Sequence, residues 1–263
     1  MLGQKISTGN KDFDDWLDGG YEPEVITCFY GPFASGKSNF CLMATANQLK
    51  EGKKVIYVDT EASLSLERLK QILGKAYSEA LLKNLLILKP TNFKEQIDAF
   101  SLLLDITESK PISLVVVDSI AMLYRLELGL VREEMEEASE GRKKVEKKDS
   151  KEESLEEMKY LHEEHEKIRR INLMLAQQLR LLSEIARKKA IPILVTNQVY
   201  QDLDGNIKMV GGDLLKYWSK CLIRLENLGE KRKAILLKHR SLGQKVFFYR
   251  IVESGIEKAR KFF

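Results

Sequence analysis

The stretch VITCFYGPFASGKS, residues 25–38, decides the fold. Its first half, 25–30, is β-branched and aromatic and reads as a buried strand that stops at Gly31. Its second half, Gly31-Pro32-Phe33-Ala34-Ser35-Gly36-Lys37-Ser38, is a full match to GxxxxGK[ST]. Helical sequence beginning near Lys37, with CLMATANQLK, then runs to about Glu51. Glycines at both ends of the loop let backbone N–H groups turn inward to cradle phosphates, and the helix start adds the positive end of its dipole. In that cradle Lys37 neutralises β- and γ-phosphates and the Ser38 hydroxyl binds Mg2+, with Asn39 next in the helix. The expected ligand is therefore a polyphosphate with Mg2+.

Working outward, strand and helix patterns keep alternating. KVIYVDTE gives a second strand at 55–59, ERLKQILGKA a helix, LLILKP a third strand, FKEQIDAFSLLLDITES a helix and ISLVVVDS a fourth strand at 112–119. Unbroken apolar strands spaced by helices mark an α/β protein with a mostly parallel twisted sheet covered by helices on both faces. After residue 130 the pattern breaks. The segment 131–167 is nearly free of aliphatic side chains and reads as a solvated helical hairpin, with Gly141 near its turn, or as a disordered stretch. Its second half passes without a breaker into a sequence whose Ile168, Ile171, Leu175, Leu179, Leu182 and Ile185 share one helical face, so one helix over 151–189 is expected. The sheet resumes with IPILVTNQV, and CLIRLE, KAILLKHR and KVFFYRIV close the chain with the short connections of antiparallel pairing.

The strand ends supply carboxylates. Asp118 closes ISLVVVD at the edge where open α/β sheets bind ligands, and is expected to hold Mg2+ through water. Glu61 ends YVDTE and can polarise a water for in-line attack on the γ-phosphate.

Composition excludes other classes. With 44% hydrophobic and 31% charged residues the chain can bury a sizeable core and stay in water. No run of 18 apolar residues exists and the first twenty carry no secretion pattern, so a cytoplasmic protein without membrane contact is expected. Cys28, Cys41 and Cys221 form no CxxC pair and read as core residues. His162 and His165, three apart, lack further metal ligands and read as solvated surface. Charge is uneven: residues 1–130 hold 14 Lys+Arg against 17 Asp+Glu, residues 131–170 hold 11 against 14, and residues 205–263 hold 14 against 5. The last surplus suits a polyanion such as DNA, or merely solubilises the final strands.

Five motifs stand in order: ISTGNKDFDDWLDGGYEPEVITCFYGPFASGKS, YVDTE, ERLKQI, LVVVDSI and LVTNQV. Together they resemble the ATPase core of the RecA family, in its archaeal and eukaryotic recombinase branch, over about 4–130 and 168–256. The resemblance implies one RecA-like ATPase domain over 1–263 with 131–167 as a charged insertion. It implies slow ATP hydrolysis, DNA binding and a place in homologous recombination and repair as a mediator or regulator of the main recombinase. Carried over by position, Glu61 is the catalytic glutamate, Asp118 the metal-shell aspartate, Arg68 the arginine beside the adenine, and Gln198 the amide that senses the γ-phosphate. Two loops face DNA in the family: one begins near Tyr124 and Arg125, and one spans about 199–214 with Lys208, Gly211 and Gly212. Lys238 and Arg240 resemble a Lys-x-Arg pair that reaches a neighbouring subunit's nucleotide, which implies a homo-oligomer. Implied partners are single-stranded DNA, a main recombinase of the RadA type and a junction-cleaving nuclease.

The departures also shape the expectation. The family's small N-terminal DNA-binding domain is not in this sequence, and no Phe-x-x-Ala peptide occurs. Strand exchange is accordingly not implied, and 131–170 is longer than the family pattern. A different class of function, a KaiC-like nucleotide-dependent assembly switch that does not act on DNA, fits the Lys-x-Arg pair and the acidic insertion. The basic ending fits it less well. A metabolic kinase would need an acceptor-binding lid, and none is legible.

Overall fold

A computed structural model describes residues 3–143, 150–201 and 207–260. In chain order the elements are α1 (Lys11–Trp16), β1 (Ile26–Gly31), α2 (Lys37–Lys50), β2 (Lys54–Asp59), α3 (Leu66–Leu73), a 3-10 turn (Gly74–Ala76), α4 (Glu79–Leu82), β3 (Leu85–Leu88), α5 (Phe93–Ser109) and β4 (Ile112–Asp118). Then follow α6 (Met122–Lys143), α7 (Ser150–Lys189), β5 (Ile193–Gln201), β6 (Ile207–Met209), α8 (Gly212–Trp218), β7 (Ser219–Leu228), β8 (Lys231–Lys238), β9 (Lys245–Val252) and β10 (Gly255–Lys258).

One sheet runs through the molecule in the order β10-β9-β8-β7-β1-β5-β4-β2-β3, with β6 paired onto β5. From β7 to β3 all neighbours are parallel, and from β7 to β10 all are antiparallel. The expected mixed sheet is present, with the antiparallel part where the short connections put it.

Alternation along the strands sorts the core into two layers. Ile26, Cys28, Ile56, Val58, Val115, Val117, Ile193 and Val195 face α5, α6 and α7. Phe29, Val55, Tyr57, Leu114, Val116 and Leu194 face α1, α2 and α3. Both faces are covered, as the apolar strands require. Helix starts follow capping chemistry: the Asn10, Ser65 and Asn92 side chains accept from the N–H three residues on, at the N-caps of α1, α3 and α5. Cys28, Cys41 and Cys221 are buried and unbonded, and burial pushes the Cys28 and Cys221 thiols up to about 12, which fits their reading as core residues.

The charged segment is helical where described, and α6 runs past the expected turn at Gly141 to Lys143; residues 144–149 lie outside the described residues. The two helices pack antiparallel. The Tyr124 hydroxyl donates to Asn172 Oδ1 at 2.6 Å, and farther out Lys167 Nζ lies 3.8 Å from Glu134 Oε2. Val131 and Met135 of α6 and Ile171, Leu175, Leu179, Leu182 and Ile185 of α7 are buried, so the expected face of α7 is the one that meets the core. The 40-residue α7 spans the expected 151–189 within a residue. Among the described residues, no helix is long and apolar enough to cross a membrane.

Candidate active site

The parallel register lines up the functional positions. Gly31 pairs with Gln198, and Asp59 pairs with Asp118. The ends of β1, β5, β4 and β2 thus meet at one sheet edge, the edge where an open α/β sheet offers a crevice.

The loop between β1 and α2 is built as its glycines demand. A β-carbon on Gly31 would sit 2.3 Å from the Leu225 carbonyl oxygen, so β1 and β7 can approach only if this residue has no side chain. Gly36 caps α2 with a left-handed φ of +94°. Lys37 Nζ donates to the carbonyls of Gly31 and Pro32 at 3.1 and 3.0 Å, lying across the loop it starts from. Burial lowers the Lys37 pKa, and the carboxylates of Glu61 and Asp118 oppose that shift. Ser35 is buried, Ser38 is half-buried, and Phe33 is 89% exposed, so Phe33 is free to meet a ligand or a second chain but packs on nothing here.

Asp118 is buried and its carboxylate is fixed by three hydroxyls: Tyr57 at 2.8 Å, Ser63 at 2.9 Å, and Thr196. A cis peptide joins it to Ser119. Gln198 Nε2 donates to Glu61 Oε1 at 2.8 Å, bridging the ends of β5 and β2 over the site. Burial and then the Asp118 charge raise the Glu61 carboxyl above the usual range, against the Gln198 amide and the Lys37 cation. A carboxylate with a raised pKa is a better proton acceptor, which suits a group that must take a proton from water.

The donor set fits Mg-ATP. Hydroxyl and carboxylate oxygens, Ser38 and Asp118, are what Mg2+ prefers. Among the described residues no cluster of three or more His, Cys, Asp or Glu exists that would hold a metal without a phosphate.

Arg68 lies beside this loop, wired edge-on. Its guanidinium donates to Asn39 Oδ1 at 2.8 and 3.1 Å, to Gln71 Oε1, and to the carbonyls of Val252, Glu253 and Gly255. Asn39 in turn donates to the Gly255 carbonyl at 3.2 Å. All edge donors being engaged, the flat face of the guanidinium is what remains for an adenine ring.

Other expected site residues are not brought to this crevice. Lys238 pairs with Leu222, and Arg240 beyond it binds Glu22 at 2.9 Å and the Pro23 carbonyl, residues that precede β1. That is the opposite edge of the sheet. Tyr124 is not in a loop but on α6, 7% exposed, with its ring against Phe93 and its hydroxyl on Asn172, and it lines one surface hollow together with Tyr200, Gly211 and Gly212. A tyrosine inside an apolar helical face is buried by its neighbours, whatever loop the pattern assigns it to. Arg125, next to it, is exposed. The second expected loop is also more ordered than read: β5 extends to Gln201, β6 pairs back on it, and Gly211 caps α8, which Gly212 begins. Lys208 is exposed on β6; residues 202–206 of that loop lie outside the described residues. His162 and His165 are exposed on α7.

Sequence reasoning missed Tyr57, Ser63 and Thr196, which hold Asp118, and Arg232 and Tyr249, which hold the loop: Arg232 Nε donates to the Ala34 carbonyl at 3.0 Å and the Tyr249 hydroxyl to the Ser35 carbonyl at 2.7 Å. Tyr57 and Thr196 lie on β2 and β5, the two strands flanking β4, and are findable by register, whereas Ser63 lies in the loop after β2. Arg232 and Tyr249 carry no sequence signal, because antiparallel pairing alone brings them here.

Known proteins resemble this chain over most of its length. The model of the Rad51 family matches residues 4–151 and 164–259. The unmatched 152–163 fall inside the segment expected to be longer than the family pattern. The chain is 38% identical over 250 residues to the DNA repair and recombination protein RadB of Methanococcus maripaludis (strain C7), covering 94% of this chain and 98% of that protein. To RadB of Methanobrevibacter smithii it is 36% identical over 261 residues, covering 96% and 95%. A solved structure, described as the crystal structure of the RadB recombinase, superimposes with a TM-score of 0.67 at 32% identity, covering 99% of this chain and all of that one.

Proposed function

This chain belongs to the Rad51 family, and on that premise we propose that it binds Mg-ATP and single-stranded DNA, hydrolyses ATP slowly, and assists a main recombinase of the RadA type in recombination and repair. Its relatives carry the name of DNA repair and recombination proteins, and the family is one of ATPases.

The observation that carries the reading is the Gln198–Glu61 bridge above the Lys37 loop. Lys37 binds the β- and γ-phosphates in place of the two loop carbonyls it now holds. Ser38 and Asp118 hold the metal, which when bound screens the phosphate charge. Glu61 orients the attacking water and takes its proton, and Gln198 fixes the carboxylate that does so. Since Gln198 precedes the last stretch of β5, a change in its bond to Glu61 would pass along β5 and across its pairing to β6, which carries Lys208. This links nucleotide state to the segment proposed to meet DNA. Lys238 and Arg240, on the far sheet edge, can serve a nucleotide only in a neighbouring copy.

The test is Mg-ATP binding and turnover in Glu61→Gln. The amide keeps the shape and removes the base, so affinity stays within about threefold while turnover drops by about 10²-fold or more. Unchanged turnover places the base elsewhere and contradicts the reading.

A further inference from the structure

The back of the phosphate loop is held by a part of the chain remote from it in sequence. Arg232 and Tyr249 are direct partners on β8 and β9, so their side chains leave the same face of the sheet. One takes the Ala34 carbonyl and the other the Ser35 carbonyl. In a planar trans peptide the C=O and the next N–H point in opposite directions. Anchoring these two carbonyls toward β8 and β9 therefore turns the N–H groups of Ser35 and Gly36 away from the strands and toward the inside of the loop, where the Ser35 N–H makes a long 3.4 Å contact with the Pro32 carbonyl that a phosphate oxygen would replace.

The loop needs such a hold. Ala34 has a left-handed φ of +58°, which its β-carbon disfavours. Gly36 rests on the same support: a β-carbon there would lie 3.1 Å from Ile251 Cδ1 and 3.5 Å from the Tyr249 hydroxyl. Tyr249 is itself immobilised, fully buried with its ring edge-on to Phe40 of α2 at 5.2 Å. Burial pushes its phenol well up, so it remains a donor at any working pH.

We infer that Arg232 and Tyr249 are positioning residues of the nucleotide site, which pre-set the Ser35 and Gly36 amides for a bound polyphosphate. This rests on the nucleotide-binding reading above and adds to it a support that lies outside the loop motif. Setting the donors in advance spares a ligand the cost of ordering them.

Three variants test it. Arg232→Met keeps the length of the side chain and removes the donor. Arg232→Gln places an amide N–H at the same number of bonds from the backbone as Arg Nε, without the charge. Tyr249→Phe removes only the hydroxyl. We expect Arg232→Met and Tyr249→Phe each to weaken Mg-ATP binding about tenfold, and Arg232→Gln to stay within about twofold of the unchanged chain. Hydrogen–deuterium exchange on the nucleotide-free chain should quicken in 31–38 for Arg232→Met and Tyr249→Phe, and stay constant in β2. Wild-type affinity and exchange in Arg232→Met would overturn the inference. So would an Arg232→Gln as weak as Arg232→Met, because the charge and not the positioned donor would then matter. If the unchanged chain fails to bind Mg-ATP the nucleotide reading falls, whereas the positioning of the loop still stands or falls on the exchange rates.

Discussion

Glu61 sits half-buried beside Asp118, where its charge is penalised and its proton held more tightly than in water. Two consequences follow from that sign. A group whose folded pKa is raised contributes stability that is present below its unfolded pKa and lost as pH rises through the folded value. At neutral pH the ionised Glu61 is therefore a burden, and Glu61→Gln should melt at a higher temperature than the unchanged chain at pH 7, with the gap closing toward pH 4. Melting curves at both pH values check this; a lower melting temperature at pH 7 would show that the Gln198 bond and the Lys37 cation outweigh burial. For kcat/KM, which reports the free chain, the base is lost on acidification at a higher pH than an ordinary glutamate would require.

Elements divide into those that build the sheet edge and those that extend beyond it. The inner half of α7 belongs to the core: Leu175 and Leu179 are fully buried against the layer that includes Val115 and Val195. Truncating Leu179 to Ala should cost about 2–5 kcal/mol, read by denaturant unfolding. The outer part of α7 carries exposed Met158 and Leu161, while Tyr160 between them packs on the edge of the core and Lys167 lies between Glu134 and Glu163 in the outer ion pairs. Exposed pairs of this kind contribute little. Replacing 137–163 by a short Gly-Ser linker should therefore leave the fold and Mg-ATP affinity within about twofold of the full chain, since nothing in the crevice is drawn from that segment. Loss of soluble protein would place it in the core.

The same division explains what the sequence could show. The strand, loop and helix around 25–38 were legible because local chemistry decides them: apolar runs, glycines at both loop ends, and a lysine and hydroxyl in fixed places. The face of α7 was legible from its period. That Tyr124 lies on a helix and not in a loop is not legible in the same way, because a loop boundary carried over from other proteins says nothing about where α6 begins. Arg232 and Tyr249 were invisible for a related reason, as β8 and β9 reach the loop only through sheet order. The short β6, β10 and α8 went unread because each has too few residues to show a period.

At the scale of the whole molecule the account joins two halves. The parallel half carries the Lys37 loop with Glu61, Asp118 and Gln198, and the antiparallel half belongs to the basic stretch 205–263, which also braces the loop through Arg232 and Tyr249. Its charge surplus serves DNA only if the phosphate backbone is what it meets. The measurement that tests this most directly is fluorescence anisotropy of labelled single-stranded DNA, with and without Mg-ATP, over a salt series. The account predicts binding whose affinity falls steeply with salt and shifts when nucleotide is added. No binding at low salt, in either nucleotide state, would contradict it and leave an ATP-driven assembly switch as the reading of the site.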